Sequence, residues 1–439
     1  MNEDFPIPLA PDVGVLARSI VYLFSIYYAI YLFSLRKNTP RTTGHPSSSD
    51  TNNEGDEAGS ASSSSSSSSS SLTNPPVRLS CVPVSSPLGR IDAGMAVDTT
   101  TGNVIIHGGG SIPKKMLADI QIFDCDQLRW RQYPFTPNQR HQFGMVSSSD
   151  GTVVVFGGLD NHRQASDALN TITFTSKGFD WSDHNNSTVV QQHQPWPGAR
   201  YGHAMCLCGG AKDYDQVVVF GGYDNTGRPM TDLWVLNTKF LASACGYNDN
   251  GGKASTLWTK LDPKGCDRPK PRKNPSIAHL DGKIFSFGRT MTLRPHRRGE
   301  VELFDLKSRR WSKRATCGEE PFEQDCQIHP LAGTMKLVAV SKREPSECGL
   351  VNRLDVLDVW TEPMMTWSRV SLEWFGDYTM IPRTRVCFSS AMDSSAGLLY
   401  IFGGRQQGNS DNEGEVTELM STLIVANFSQ HIVIDAVGG

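Results

Sequence analysis

VVVFGG occurs twice in this chain, at 153–158 and 217–222, and VIIHGGG (104–110) and LLYIFGG (398–404) read the same way. Each is a β-branched or aromatic run ending in paired glycines. That is the pattern of a buried strand entering a turn that needs positive φ or close backbone approach. Degenerate copies stand at KIFSFGR (283–289) and KLVAVSK (336–342). From Gly108 through Gly157, Gly221, Gly288 and Ser341 to Gly403, the spacings are 49, 64, 67, 53 and 62 residues. A period of this size marks a chain built from repeated supersecondary units.

The flanks repeat as well. An arginine precedes each strand pair with Met five residues later: Arg90 and Met95, Arg140 and Met145, Arg200 and Met205. Looser versions start at Arg272 and Arg383, and the fifth repeat has Gln327 in that neighbourhood. After the glycines come a polar loop and a third strand: ADIQIFD (118–124), ALNTITF (168–174), DLWVLN (232–237), VELFDL (301–306) and RLDVLDV (353–359). A tryptophan on a fourth strand then closes the unit, at Trp130, Trp181, Trp258, Trp311 and Trp367. Four short strands, two glycines and one Trp describe a propeller blade, with Trp filling the space between neighbouring blades.

This phased set resembles the kelch-repeat family of β-propellers and the central domain of the galactose oxidase superfamily. The resemblance covers residues 77–439 and implies an all-β fold. After Gly403-Gly404 one more strand, TLIVANF (422–428), follows without a closing Trp strand, whereas VRLSCVPV (77–84) precedes Arg90. The expectation is a six-bladed kelch β-propeller whose N-terminal strand completes the last blade and removes open sheet edges.

The remaining residues read differently. After a tail at 1–12, residues 13–35 (VGVLARSIVYLFSIYYAIYLFSL) carry one charge, Arg18, over 23 residues. That is enough to cross a bilayer as a transmembrane helix. A cleaved signal peptide is the rival, but the first twelve residues hold Glu3, Asp4 and Asp12 with no Lys or Arg, and no small-residue cleavage site follows. Arg36, Lys37 and Arg41 after the run place the propeller in the cytosol, since cytoplasmic flanks are enriched in cations. Residues 36–76, with ten consecutive serines at 62–71, read as a disordered tether. The expectation is a single-pass membrane protein.

Composition narrows the function. The 42 Lys+Arg against 45 Asp+Glu give a net charge of −3, which argues against a globally basic nucleic-acid binder, and no nucleic-acid partner is expected. Ten Cys in 439 residues exclude a disulfide scaffold.

Some galactose oxidase relatives are copper-radical oxidases using two tyrosines and two histidines, one adjacent Tyr-His pair among them. Here no Tyr outside the 13–35 run precedes His, and 35 residues remain after Gly404, too few for the extra domain those enzymes carry. Tyr201-Gly202-His203 with Cys206 and Cys208 is the nearest feature. His184, His193 and His203 lack zinc-site spacing, and no glycine loop is followed by the Lys-Ser/Thr of a phosphate cradle. No catalytic residue, metal or cofactor is expected. A secreted or lumenal galactose-oxidase-type copper oxidase or carbohydrate-active protein is the alternative.

Two features could carry binding. Arg90, Arg140, Arg200, Arg272 and Arg383 would ring one channel mouth if equivalent, and guanidiniums so placed suit an acidic peptide. The other reading is that each bonds carbonyls of neighbouring blades. Between Lys264 and Arg314 fifteen cations face five acids, including Arg294, Arg297, Arg298, Arg309 and Arg310, a basic patch for an acidic partner or a membrane surface. Loops 184–198, 241–256 and 405–420 are further contact candidates. Together these point to a membrane-tethered, non-catalytic protein-interaction scaffold.

Overall fold

The computed structural model describes residues 76–433 except 83–86, 112–114, 134–135, 137–138, 176–177, 185–194, 210–214, 242–255, 266, 291–298, 322–325, 342–351, 361–362, 375–384 and 407–418. The chain divides into two units, Met1–Thr73 and Asn74–Gly439, and only the second holds described residues.

That unit is all-β and propeller-like. β1 (Val77–Cys81) is followed by β2 (Gly94–Val97), β3 (Val104–His107), a short hairpin of β4 (Gly110–Ser111) and β5 (Lys115–Met116), β6 (Ile120–Asp124) and β7 (Arg129–Tyr133). Next come β8 (Gly144–Ser147), β9 (Val153–Phe156), β10 (Leu169–Thr175) and β11 (Gly178–Asp183). Then follow β12 (Ala204–Cys208), β13 (Gln216–Phe220), β14 (Leu233–Asn237) and β15 (Trp258–Lys260). β16 (Arg272–Leu280), β17 (Lys283–Thr290), β18 (Glu300–Asp305) and β19 (Arg310–Gly318) precede β20 (Gln327–Leu331), β21 (Lys336–Ser341), β22 (Arg353–Asp358) and β23 (Met365–Arg369). The chain ends through β24 (Leu372–Trp374), β25 (Arg385–Asp393), β26 (Leu398–Gln406), β27 (Leu423–Asn427) and a single helical turn, α1 (Ser429–Val433).

Strands pair mainly as antiparallel meanders in the orders β2-β3-β6-β7, β8-β9-β10-β11 and β12-β13-β14-β15. One eight-stranded sheet runs β16-β17-β18-β19-β23-β22-β21-β20, and a five-stranded sheet runs β25-β26-β27-β1-β24. The innermost strands touch in the order β2, β8, β12, β16, β20, β25 and back to β2. β1 lies antiparallel beside β27, with Leu79 opposite Ala426, so the two ends of the repeat region share one sheet.

The tryptophans explain how sheets stack. Each packs on the residue before the glycine turn of the preceding repeat: Trp130 on Phe402, Trp181 on His107, Trp258 on Phe156, Trp311 on Phe220 and Trp367 on Phe287, with ring centroids 5.1–5.7 Å apart. Such aromatic pairs add about 0.5–1.5 kcal/mol beyond area burial. On β1 the equivalent position is Leu79, and the residue before the degenerate pair is Val340. Both are small, and both lie in one cluster.

Close approach explains the paired glycines. At Gly157, φ is +69° and a Cβ would sit 2.7 Å from the Arg200 carbonyl oxygen of the next sheet. Gly158 N–H donates to that same carbonyl at 2.9 Å. Gly109 repeats this bond to Arg140, and Gly404 makes it to Arg90, joining the last sheet to the first.

One expectation is corrected here. Among the described residues no helix is long and apolar enough to cross a membrane, and the single-pass membrane localisation is withdrawn. Residues 13–35 and the tether to residue 75 lie outside the described residues.

Candidate functional site

The repeated arginines stand at or just before five of the six innermost strands, and burial decides what they can do. Arg90, Arg140, Arg200, Arg272 and Arg385 are all at most 5% exposed. In every case Nη1 donates to the carbonyl of the first glycine of the same sheet. The acceptors are Gly108 (3.1 Å), Gly157 (3.2 Å), Gly221 (3.1 Å), Gly288 and Gly403 (3.1 Å). The rest of the guanidinium reaches the start of the third strand. Arg90 holds Asp119 through two bonds of 2.8 and 2.9 Å, and Arg200 holds Asp232 through two of 2.9 Å. Arg140 donates to Asn170 Oδ1 (2.7 Å), Arg272 to Glu302 (2.9 Å) and Arg385 to Thr422 Oγ1 (3.0 Å).

The electrostatics follow from these partners. Burial works to raise the Asp119 and Asp232 carboxyls, but hydrogen bonds from Arg90 and Arg200 outweigh it and hold both below the usual range. Arg140 and Arg385 have neutral partners, and burial lowers each to about 10, so both stay charged at neutral pH.

Arg383 lies outside the described residues; the guanidinium that makes the repeated contact there is Arg385. Arg385 stands four residues before Ser389, as Arg90 does before Gly94. A Met at the fifth position could not single it out, because Ser390 stands there.

Above the arginines lies a rim that residue patterns alone did not reveal. Two residues after each arginine the backbone enters the left-handed region: Asp92 (φ 53°), Gln142 (53°), Gly202 (60°), Asn274 (47°) and Cys387 (55°). Four of the five are not glycine, and such strain persists only where its surroundings fix it. Here the fixing is a chain of backbone bonds between sheets. Asp92 N–H donates to Cys387 C=O (3.2 Å), Gln142 N–H to Asp92 C=O (3.1 Å) and Gly202 N–H to Gln142 C=O (2.8 Å). The residue between, one after each arginine, pairs with the residue following the glycines: Ile91 with Gly110, His141 with Leu159, Tyr201 with Tyr223, Lys273 with Arg289 and Val386 with Arg405. Tyr201 and Tyr223 are half-buried and stack at 5.5 Å with an interplanar angle of 26°.

The fifth repeat reaches the same shape with other groups. Ser341 replaces the first glycine, and Asn352 Nδ2 donates to its carbonyl (3.2 Å) and to Arg385 C=O (3.1 Å) while Oδ1 accepts from Arg385 N–H (3.2 Å). Arg353 stands where other sheets carry Asp119 or Asp232, and its Nε meets both oxygens of buried Asp355 at 2.9 and 2.7 Å. Ser390 Oγ donates to Gln327 Oε1 (2.5 Å) and therefore accepts from His329 Nε2 (2.7 Å), which joins β20 to β25.

The other sequence candidates separate. Arg309 and Arg310 are exposed in the β18–β19 turn, whereas Arg294, Arg297 and Arg298 lie outside the described residues. So do most residues of the three long loops. His203 packs edge-on against Phe156 at 5.6 Å, and burial drops it to about 3. Burial raises the Cys206 thiol and takes Cys208 to about 11. Among the described residues no group of three His, Cys, Asp or Glu side chains is placed to hold a metal ion.

Comparison with known proteins agrees with this geometry. Residues 174–373 match the family profile described as the KLHDC2/KLHL20/DRC7 Kelch-repeats domain. The chain is 26% identical over 335 residues to the serine/threonine-protein phosphatase BSL2 of Arabidopsis thaliana, covering 72% of this chain and 29% of the relative. It is 26% identical over 249 residues to acyl-CoA-binding domain-containing protein 4 of the same plant, covering 55% and 32%. With the host cell factor of Drosophila melanogaster it shares 24% over 330 residues, covering 69% and 20%. The chain thus spans a third or less of the length of these relatives. The matches and the repeat geometry support a kelch-repeat family for this chain.

Proposed function

We propose that this chain is a non-catalytic kelch-repeat interaction scaffold whose residues 77–439 form a propeller of six blades. In this reading the eight-stranded sheet is two blades joined at β19 and β23, and β1 supplies the fourth strand of the last blade. One observation carries the functional part: the side chains that repeat are spent inside the sheets, while the rim side chains differ from one sheet to the next. A fixed frame with a variable edge suits recognition. The relatives share these repeats under names as different as phosphatase and host cell factor, which supports the same reading.

The partner is a protein, docked at the rim through an acidic segment. Tyr201 and Tyr223 offer an aromatic platform of the type enriched at binding hot spots. Arg405, farther round the rim, is exposed and supplies positive charge. Arg90, Arg140, Arg200, Arg272 and the arginine of the last blade act from beneath, holding the turn carbonyls under the rim. The test is selection of an acidic peptide library on the full chain, followed by Tyr223→Ala and Leu128→Ala. Leu128 lies in the β6–β7 turn at the other end of the sheets and is 56% exposed. Selected peptides should lose affinity about tenfold with Tyr223→Ala and none with Leu128→Ala. The reverse pattern would refute the rim as the docking face.

A further inference from the structure

The outer strand β19 is paired on both edges over only part of its length. Its far half, Thr316–Gly318, pairs in parallel with Met365–Trp367 of β23. Its near half, Arg310–Ala315, pairs only with β18 among the described residues. Thr316 N–H is bonded to Gly299 C=O on the β18 side at 2.7 Å. Because backbone groups alternate along an antiparallel pair, the N–H and C=O groups of Trp311, Lys313 and Ala315 point away from β18. Of these, the Ala315 C=O faces Met365 N–H in the parallel pair and Trp311 is buried, so the open groups are the N–H and C=O of exposed Lys313 and the N–H of exposed Ala315.

Two further observations say what such a row would accept. Lys307, Arg309 and Arg310 are exposed at the start of the strand, and the Lys264 N–H is bonded to Arg309 C=O at 2.7 Å, which brings exposed Lys264 beside them. None of these four cations has a carboxylate within ion-pair distance among the described residues. At the other end of the row, Met364 precedes the residue paired with Thr316, and it is 39% exposed. Trp360, on the same connection, is 71% exposed. Charge on an edge strand ordinarily serves to keep other strands away. An edge protected for that reason alone has no cause to end at a connection that carries an exposed tryptophan, the residue type most enriched at binding hot spots.

We propose that Arg310–Ala315 accepts an extended acidic segment of a partner protein as an added β-strand, with an apolar residue of that segment seated against Met364 and Trp360. Main-chain bonds to Lys313 and to the Ala315 N–H supply the pairing, and the cations select for acidic side chains. This surface lies on the outer wall and does not depend on the rim.

The experiment uses the full chain and a fluorescent peptide of alternating Glu and Val ending in Leu, with an otherwise identical peptide N-methylated at alternate residues as control. Binding by anisotropy should saturate and weaken about tenfold or more in Arg310→Glu, Trp360→Ala and Ala315→Pro. Proline at 315 removes one outward N–H, leaves every cation in place and spares the ladder to β18. Hydrogen exchange at the Lys313 and Ala315 amides should slow on peptide addition, a readout that stands even if Ala315→Pro fails to fold. Equal binding of the N-methylated peptide, or of a DNA oligonucleotide in its place, would overturn the proposal. So would unchanged exchange at those two amides.

Discussion

The sheet β12–β15 and the β20–β23 half of the eight-stranded sheet build one shape from different chemistry. In the first, Arg200 ties the Gly221 carbonyl to Asp232, and Gly221 and Gly222 take φ of 69° and 90°. In the second, no arginine starts the inner strand. Ser341 keeps an ordinary backbone conformation, Asn352 reaches its carbonyl, and the ion pair has moved wholly onto the third strand as Arg353–Asp355. What the fold requires is a donor beneath the turn carbonyl and a neutralised third strand. Arginine and glycine are the usual means, not the requirement itself.

The largest expected effect separates the two sheets at their charges. Arg200→Ala leaves the partly buried Asp232 carboxylate unpaired and should cost about 3–5 kcal/mol in urea unfolding. Next is the turn itself. Gly157→Ser forces a side chain into φ +69° and against the Arg200 carbonyl, and should cost about 2–3 kcal/mol, whereas Ser341→Gly should cost well under 1 kcal/mol. Equal costs at both positions would break the comparison. Asn352→Ala removes two bonds to Arg385 of the neighbouring sheet and one to Ser341 of its own, and should cost about 2 kcal/mol, with the added hydrogen exchange confined to β21, β22 and β25.

The smallest effect is a pH slope. Burial lowers His107, His203 and His329 to about 4, 3 and 4, against an ordinary value of 6.5. They are neutral in the folded chain and take up protons on unfolding. Stability is therefore full above pH 6.5 and falls as pH drops toward 4, by about 1.4 kcal/mol per unit for each histidine. Phe143 occupies the position of His203 in the preceding sheet, and His203→Phe should remove about one histidine's share of the slope between pH 6.5 and 5.5. An unchanged slope would mean that His203 is protonated when folded.

Much of this was readable beforehand because it rests on residue type. Paired glycines and one Trp per unit are steric requirements, and they appear as letters at a regular spacing. The closing role of VRLSCVPV could be read from a missing fourth strand, and β1 does lie beside β27. What could not be read depends on geometry that several residues satisfy equally. Arg383 and Arg385 both fit the pattern, and only the bond to Gly403 chooses between them. The left-handed positions Asp92, Gln142 and Cys387 share no residue type, since their conformation is imposed by bonds between sheets. The lap of β19 over β23, and of β24 over β1, joins strands with no repeated sequence mark.

The central claim is that the repeated arginine is consumed by its own sheet. A double-mutant cycle on Arg200→Ala and Asp232→Ala, read as urea unfolding free energies, tests it directly. The account predicts a coupling of about 2–3 kcal/mol. A coupling near zero, with both single variants as stable as the unmodified chain, would contradict it and return the arginine to the channel mouth as a free ligand.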